Sequence, residues 1–489
     1  MNDILDKSAL ESAEINSSIK NEALFKLIGW LVTLSLPLFL FFKLPQQVVD
    51  QSGSEGVIFL ALIAGAVSMW VFRLTPNFVP SLLVTALSVI LNLAPRDVVM
   101  AGFGSNVIFL VLGMFLFAAM ISSSGLARRI SLWLITSLPN NRFTQPFILF
   151  GLGVSLSTLI PSPLGRSAIM TPLALDLARL SSNPHRQATL QVSALQGGFL
   201  LCTVFLTGNP LNFVMLGFLD MQTQFYFQWG NWLQSTFIAG LVLLAFYLLW
   251  LLWRCRHEET VSSHEIERLK QEFKSLGGLD NKEKGAMVSM MILVGAILTM
   301  SFHHIELAWI ALFIAMAVFL FDGLTVADMR SRVDWPTLLF IASIVSWGPM
   351  IQHLNLDLLV FEHLKWLGIY ISNRPLEGIL LLSLVVFGTR LFFPGAPTFV
   401  ILMSVLISVS GSSALSPWVL GFCLLLLSES FIFSYQHGVA AQVGSALNDE
   451  KLLHKDMQKA FLTSNLWFCF ARVVALCASL TYWTHQALI

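Results

Sequence analysis

Two short stretches that break helices lie about 230 residues apart and resemble each other. The first reads LIPSP at residues 159–163, and the second reads LFFPGAP at residues 391–397. Each interrupts an apolar segment with proline and small residues, which end or kink a helix. Irregular backbone at membrane depth is tolerated only where protein buries it or where it lines a solvated cavity. We therefore expect both breaks to lie at such a place.

The composition places the chain among membrane proteins. Hydrophobic residues make up 56% and charged residues only 11% of the 489 residues, and the mean hydropathy is +0.76. A water-soluble domain could not bury this much apolar surface. The sequence thus predicts an all-α integral membrane protein whose partner is the lipid bilayer. The net charge of zero gives no basis for a nucleic-acid partner, and the five cysteines, which lack paired spacing, are expected to pack as small hydrophobes.

Runs of roughly 18 or more apolar residues predict about eleven membrane crossings. They lie at 25–43, 55–72, 78–94, 105–122, 187–216, 231–253, 285–302, 306–321, 337–352, 415–446 and 459–482. Re-entrant hairpins are predicted at 143–180 and 376–412, because central prolines disfavour a single clean crossing. Each half then has an odd number of crossings, apart from one extra helix at the start. The second copy is therefore inverted, which is the inverted-repeat layout of secondary transporters.

The connections between crossings predict the orientation. Lys and Arg concentrate on one side, which the positive-inside rule assigns to the cytosol, together with the N-terminus. The run HEIERLKQEFKSL between the halves predicts either a short surface helix or a solvated linker. The predicted division is a cytosolic tail at 1–22, a first helix and first repeat at 23–254, a cytosolic linker at 255–284 and a second repeat at 285–489.

Several motifs carry a resemblance to a known family. They are ISSSGLARRISLWLI before the first hairpin, FLTGNPLNF at 205–213, FYFQWGNWL near Trp229, LGGLDNKEK at the end of the linker, and VDWPTLLFIASIV after the eighth crossing. In this order they resemble the divalent anion:sodium symporter family of dicarboxylate, citrate and sulfate transporters. The resemblance implies an elevator-type mechanism, a homodimer, a small anionic substrate such as succinate, malate, citrate or sulfate, and Na⁺ as a coupling ion with no other metal or cofactor.

The first hairpin tip, PSPLGRSAIMTP, is most similar to the branch that contains the 2-oxoglutarate/malate translocator and the citrate exchanger. Ser162 and Arg166 match the family pattern, whereas Pro163 replaces its asparagine and Leu164 its threonine. The second tip, FFPGAPTF, has Thr398 as its nearest hydroxyl. These departures leave open sodium-coupled symport or anion exchange. The alternative is a family member without transport that acts as a membrane sensor or scaffold.

The hairpin tips provide the predicted substrate-binding residues. A broken helix presents unpaired N–H groups and positive dipole charge, which suit carboxylate or sulfate oxygens. Arginine at membrane depth is costly enough to indicate a functional partner, although it can also snorkel or pair with a protein carboxylate. The predicted substrate-binding residues are Ser162, Pro163, Arg166, Asn209, Pro397 and Thr398.

A second break follows each hairpin, at 207–210 in crossing five and at 436–438 in crossing ten. Unwound backbone frees carbonyl oxygens, which are suited to Na⁺, and the resemblance implies that the first break closes a sodium site with the first tip. Packing kinks are the alternative. The predicted cation-binding residues are Thr207, Gly208, Asn209, His437 and Gly438.

Glu429 lies about two helical turns before His437 in an apolar segment. Either side chain can titrate, which would permit proton-linked transport. Alternatively, Glu429 neutralises Arg390 and His437 is a structural histidine. Glu429 and Arg390 are therefore the predicted coupling residues. The chain has no HExxH or GxSxG motif, so we do not expect an enzyme. The predicted function is secondary active transport of small divalent anions across a bacterial inner membrane.

Overall fold

In the part of the chain that the structure, a computed structural model, describes, all regular secondary-structure elements are helices. The predicted cytosolic tail, 1–22, lies outside the described residues. The described residues are 24–42, 46–137, 141–179, 181, 183–257, 263–299, 305, 307–356, 366–371, 373–391, 393–407, 416–433, 436–449, 452, 455–486 and 488.

Proline at the first helical turn behind a capping Asn, Asp or Ser begins several of these helices, as at Asn209 and Ser416. The helices of the first half are α1 (Leu24–Phe42), α2 (Gln46–Val71), α3 (Phe78–Ile90), α4 (Arg96–Val99), α5 (Asn106–Ser124), α6 (Leu126–Ser137), α7 (Thr144–Leu159), α8 (Pro163–Arg179), α9 (Pro184–Gly197), α10 (Pro210–Gly217), α11 (Met221–Tyr226) and α12 (Trp229–Arg254). Those of the linker and second half are α13 (Ser263–Ser275), α14 (Asn281–Leu298), α15 (Leu307–Leu320), α16 (Val326–Arg332), α17 (Trp335–His353), α18 (Pro375–Arg390), α19 (Gly395–Leu406), α20 (Pro417–Ser428), α21 (Gly438–Asp449) and α22 (Lys455–His485).

Five of the described helices are long and apolar enough to cross a membrane. They are α1, the Ser52–Val71 part of α2, α5, α12 and α22. Shorter apolar helices include α3, α7, α15, α19 and α20. The predicted membrane class thus agrees with the helices observed, while the count of about eleven crossings stays a prediction.

The predicted breaks occur where proline interrupts the apolar segments. Residues 160–162 separate α7 from α8, and residues 391–394 separate α18 from α19. Residues 198–209, with one 3-10 turn, separate α9 from α10. In the second half the chain leaves the helix at Glu429, well before the expected break at 436–438. The breaks at the two hairpin tips and at 207–210 are confirmed, whereas the break expected at 436–438 begins earlier than predicted; re-entry of the hairpins into a bilayer stays a prediction.

The two halves pack in reciprocal pairs. Helix α5 packs on α15, and α3 packs on α17. In this cluster the backbone N–H of Gly102 donates to Ser346 Oγ at 3.0 Å. We call α2, α3, α5, α14, α15 and α17 the scaffold, and α7–α10 with α18–α21 the hairpin unit. Helices α12 and α22 pack on each other beside the hairpin unit, where Trp483 Nε1 donates to the carbonyl of Ser235 at 2.8 Å.

The linker between the halves contains the surface helix α13, which confirms the helical alternative for that segment. It packs on α6, an amphipathic helix that the sequence did not predict. Arg129 of α6 donates to Glu283 Oε1 at 2.7 Å and to the carbonyl of Gly277 at 2.8 Å. This arginine holds the pKa of the Glu283 carboxyl below its ordinary value, mainly through the hydrogen bond. The linker is therefore held against α6, the helix that precedes the first hairpin.

Candidate functional site

We call residues 198–209 the first unwound segment and the described residues 429–433 and 436–437 the second. A cavity of about 460 Å³ lies where these two segments and the two hairpin tips meet the scaffold. The hairpin unit contributes Ser162, Pro163, Asn209, Pro210, Pro394, Gly395, Ala396, Glu429, Gln436, His437 and Gly438. The scaffold side contributes Asn77, Phe78, Asp334, Thr337 and Phe340, among others. Residues from both halves, far apart in sequence, thus line one space of the size that binds small ligands.

The N-terminal ends of six of the described helices line this cavity: α3, α8, α10, α17, α19 and α21. Each end carries partial positive charge and unpaired backbone N–H groups. This arrangement favours a negatively charged ligand. The fold therefore supplies anion-binding chemistry from its backbone.

Side chains occupy some of these N–H groups and leave others open. Ser162 Oγ accepts the N–H of Gly165 at 3.1 Å, and Asn209 Oδ1 accepts that of Leu211 at 3.0 Å. By contrast, α19 begins at Gly395 without a side-chain cap. The second tip therefore offers backbone donors instead of hydroxyls, which fits its lack of Ser and Asn.

Arg166 does not line the cavity; it lies behind it. The side chain is fully buried, and its guanidinium donates to the carbonyls of Gly198 at 2.9 Å, Gly208 at 2.7 Å and Ile160. It joins the first hairpin tip to the unwound segment that follows α9. We call this group the first arginine clamp.

Arg390 forms the second arginine clamp. It is buried and donates to the carbonyls of Ser430 at 2.9 Å, Phe393 at 2.8 Å and Gln436 at 3.1 Å. It therefore joins the second tip to the second unwound segment. The two arginines occupy different arms of their hairpins, yet they connect corresponding parts of the two halves.

The sodium ion that the family resemblance implies does not fit these segments well. The carbonyl of Gly208, a predicted cation ligand, already accepts from the Arg166 guanidinium at 2.7 Å, and the carbonyl of Gln436, next to the predicted ligand His437, accepts from Arg390 at 3.1 Å. The hydroxyl of Thr207 is buried and donates to the carbonyl of Thr158 at 2.6 Å. A further cation beside each arginine would be repelled.

An amide side chain also holds each unwound segment. In the first half the Asn212 amide donates to the carbonyls of Phe205 at 2.8 Å, Leu206 at 3.1 Å and Cys202 at 3.3 Å. This fixes the turn between α9 and α10 against the start of α10.

In the second half Gln436 has the same role. Its Oε1 accepts the N–H groups of Ile432 at 2.7 Å and Phe433 at 2.9 Å, and its Nε2 donates to the carbonyl of Arg390 at 2.8 Å. Both unwound segments are therefore fixed by one arginine and one amide.

Two predicted substrate-binding residues of the second tip lie away from the cavity wall. Pro397 and Thr398 are buried in the first turns of α19, and Thr398 Oγ1 donates to the carbonyl of Pro394 at 2.9 Å. The preceding residues, from Pro394 to Ala396, line the cavity instead.

Glu429 and His437 both line the cavity, with 3.8 Å between Oε2 and Nε2. Glu429 is only 3% exposed. The imidazole ring packs between Phe199, at a centroid distance of 4.3 Å, and Phe431, at 5.2 Å. The second half thus adds ionisable groups to the cavity wall that the first half lacks.

Arg472, a buried arginine of α22, was missed from the sequence. Its Nη1 lies 3.3 Å from the carbonyl of Leu426 and 3.5 Å from Ser430 Oγ. The guanidinium carbon lies 5.1 Å from the ring centroid of Phe199. A single charge in the middle of the apolar stretch 459–482 was the available signal.

The citrate transporter family matches residues 67–426 of the chain. The chain belongs to this family and is a secondary anion transporter of the membrane, not an enzyme. This agrees with the resemblance to dicarboxylate, citrate and sulfate transporters.

Two named relatives are antiporters, which agrees with the class of secondary anion transporters. The chain is 21% identical over 365 residues to the L-tartrate/succinate antiporter of Escherichia coli (strain K12), covering 71% of this chain and 70% of that protein. The protein of the same name from Shigella boydii serotype 4 (strain Sb227) is 21% identical over 364 residues, with the same coverage. The structure of Neisseria gonorrhoeae MtrF, of a class of antimetabolite efflux pumps, matches with a TM-score of 0.51 at 13% identity over 80% of this chain and 84% of MtrF, which shows a shared fold.

Proposed function

We propose that this chain exchanges small dianionic carboxylates, of the size of succinate and tartrate, across a bacterial inner membrane without sodium. The observation that carries the proposal is the convergence of six described helix N-termini on one cavity between the hairpin tips. The tartrate/succinate antiporters, similar over 71% of the chain, support dicarboxylates as the substrate class. The anion would bind mainly to backbone N–H groups, which suit carboxylate oxygens.

Ser162 and Asn209 would complete the anion site on the first half. On the second half the uncapped start of α19 would receive a carboxylate at Gly395 and Ala396. A ligand with two carboxylates spaced a few carbons apart can use both tips at once. This favours dicarboxylates over compact anions.

The arginine clamps support sodium-independent exchange. The family resemblance implies that, in a sodium-coupled carrier, a bound Na⁺ joins the first hairpin tip to the unwound segment that follows it. Here Arg166 makes this connection, and Arg390 the corresponding one in the second half, through hydrogen bonds of 2.7 Å to Gly208 and 3.1 Å to Gln436. Their positive charges are part of the chain itself. Because these positive charges never dissociate, they remain beside the site when no anion is bound. An empty carrier would then cross the membrane unfavourably, which makes exchange the expected mode.

We propose that the hairpin unit moves relative to the scaffold in an elevator mechanism. The cavity has residues of both units on its walls, so the anion would lie at the surface where they slide. A second cavity of about 250 Å³ adjoins the first at Ser162 and Asp334 and is also lined by Arg332. We assign it as the path to the cytosol, because Arg332 lies in a connection that the positive-inside rule places there. A homodimer is expected from the family resemblance.

Counterflow in liposomes tests this proposal. Purified protein in vesicles loaded with succinate, tartrate or buffer alone is given labelled succinate, with sodium or choline outside. We expect uptake only into vesicles that contain a dicarboxylate, at the same rate in both salts. Uptake into empty vesicles driven by a sodium gradient would instead establish symport. Absence of exchange with any dicarboxylate would favour the sensor or scaffold alternative.

A further inference from the structure

Glu429 is a carboxylate in a cavity that otherwise suits anions. It is 3% exposed, lines the cavity, and its Oε2 has no hydrogen-bond partner among the described residues. A bound dianion close to an ionised Glu429 would be repelled. A carboxylate in this position is therefore unfavourable unless it has a specific role in ligand binding.

Direct ion pairs with the nearby arginines do not account for the position of this carboxylate. All three nitrogens of Arg390 donate to main-chain carbonyls, and Arg472 faces Leu426, Ser430 and the ring of Phe199. Among the described residues, the only ion-pair contact of Glu429 within 4.0 Å is with His437, at 3.8 Å. The arginines therefore act on Glu429 through space and leave its buried oxygen Oε2 without a hydrogen bond among the described residues.

The charged and titratable groups around Glu429 come from several elements. They are His437 in the same unwound segment, Arg390 of α18, Arg472 of α22, Arg166 of α8 and the Cys202 thiol after α9. Arg390 and Arg472 also face His437. The cations favour an ionised Glu429 while the cavity is empty. A dianion in the cavity opposes them.

The tautomer of His437 follows from its second nitrogen. Nδ1 accepts the backbone N–H of Val439 at 3.3 Å, so the proton of the neutral ring lies on Nε2, toward Glu429. A proton added to Nδ1 would remove this acceptor from the start of α21. His437 is thus better placed to orient Glu429 than to take up the proton itself.

We infer that Glu429, oriented by His437, binds one proton together with each dianion. The inference rests on the proposed function and adds the proton as a second ligand of the same site. The proton comes from water in the cavity and binds Oε1 of Glu429, the oxygen beside Gly395 of the cavity wall, and the resulting O–H donates to a carboxylate oxygen of the ligand. It returns to water when the anion leaves on the other side. The repulsion becomes a hydrogen bond, and each transport step carries one negative charge fewer.

Calorimetry of succinate binding to the purified full-length protein tests the inference. Titrations near neutral pH are run in two buffers whose heats of ionisation differ strongly, and the difference in measured heat gives the protons taken up per succinate. We expect about one proton for the native protein and close to none for Glu429→Gln. Glu377→Gln is the matched control. Glu377 is an exposed carboxylate outside the cavity that pairs with Arg374 at 3.1 Å, so this variant should still take up about one proton.

The possible outcomes distinguish failure of the proton site from failure of the proposed dicarboxylate exchange. Equal heats in the two buffers, with succinate bound by the native protein, overturn the proton site and leave dianion exchange standing. No succinate or tartrate binding by the native protein overturns the proposed function. If Glu429→Gln does not fold, as judged by its melting temperature, His437→Gln is used. It should reduce proton uptake, and full uptake in a folded His437→Gln protein would contradict the role of the pair.

Discussion

The two halves of the cavity share one way of holding their unwound segments but differ in what they present to a ligand. Arg166 with Asn212 fixes the first half, and Arg390 with Gln436 fixes the second, all through main-chain carbonyls or N–H groups. The first half then lines the cavity with Ser162 and Asn209, whereas the second half contributes ionisable groups.

This difference separates structure from chemistry. The arginine and amide pairs meet a need common to both halves, because unwound backbone in a membrane leaves polar groups that water cannot satisfy. Glu429 meets no such need, and among the described residues that line the cavity the ionisable groups come from the second half. We infer that the halves are equivalent as supports and unequal as ligand-binding surfaces.

The largest expected effect comes from the arginine clamps. Arg166→Gln and Arg390→Gln should each lower exchange at least about 100-fold and the free energy of unfolding by on the order of 3 kcal/mol, because three buried carbonyls lose a charged donor. Labelled-succinate counterflow and melting in detergent measure the two effects. Arg128→Gln, which removes an exposed arginine paired with Glu272 at 2.5 Å, should change neither. If Arg166→Gln lost exchange at native stability, a direct role in binding the anion would replace the clamp.

The amide pair should give the next largest effect. Asn212→Ala and Gln436→Ala are each expected to lower the free energy of unfolding by about 2 kcal/mol, because buried backbone groups lose their partners. Thermal melting of the two variants side by side measures this. A clear loss for one and none for the other would mean that the halves are not equivalent as supports.

A smaller effect is expected at the hairpin tips. A Cβ at Gly395 would lie 2.9 Å from the carbonyl oxygen of Ser428, so the tip must shift. We expect Gly395→Ala to lower the apparent affinity for succinate about tenfold, or roughly 1.4 kcal/mol. Gly165→Ala in the first hairpin is the matched control, since its Cβ would meet Ser162 Cβ at an ordinary 3.4 Å. An equal loss of succinate affinity in the two variants would contradict the proposal that the second tip binds the anion through its backbone and the first tip through side chains.

The smallest effect lies outside the cavity, at Glu283. Arg129 holds its pKa below the ordinary value, so this carboxylate contributes stability above the unfolded pKa. The contribution is lost as the pH falls through the folded pKa, in the acidic range below the ordinary glutamate pKa of 4.5. Melting as a function of pH should show this loss in the native protein but not in Glu283→Gln. A pH effect on succinate binding near neutrality must therefore come from another group.

The sequence predicted the breaks better than the roles of the residues beside them. Proline and glycine in apolar segments located both hairpin tips, because these residues act through local backbone geometry. Arg166 and Arg390 were recognised as costly charges, but sequence does not reveal which way a buried side chain points. Both turn toward backbone carbonyls, and Thr398 turns back into its own helix.

Arg472 was missed for a related reason. It lies far along the chain from both hairpins and approaches the second unwound segment only through the packing of α22. The early end of α20 at Glu429 was also not expected, because the run LLLLSESFIF has no proline or glycine to mark it. Long-range packing determined both.

The central claim, that one anion touches both hairpin tips, is tested most directly by protection of introduced cysteines. Ser162→Cys and Ala396→Cys place one thiol on each tip at the cavity wall, and Ser275→Cys in the exposed linker helix is the control. Cys477→Ser is used as the background, because the other native cysteines are buried. Labelling by a membrane-impermeant maleimide is measured with and without succinate. We predict that succinate slows labelling at Ser162→Cys and Ala396→Cys to a similar extent and leaves Ser275→Cys unchanged, whereas protection of only one tip would contradict a shared site.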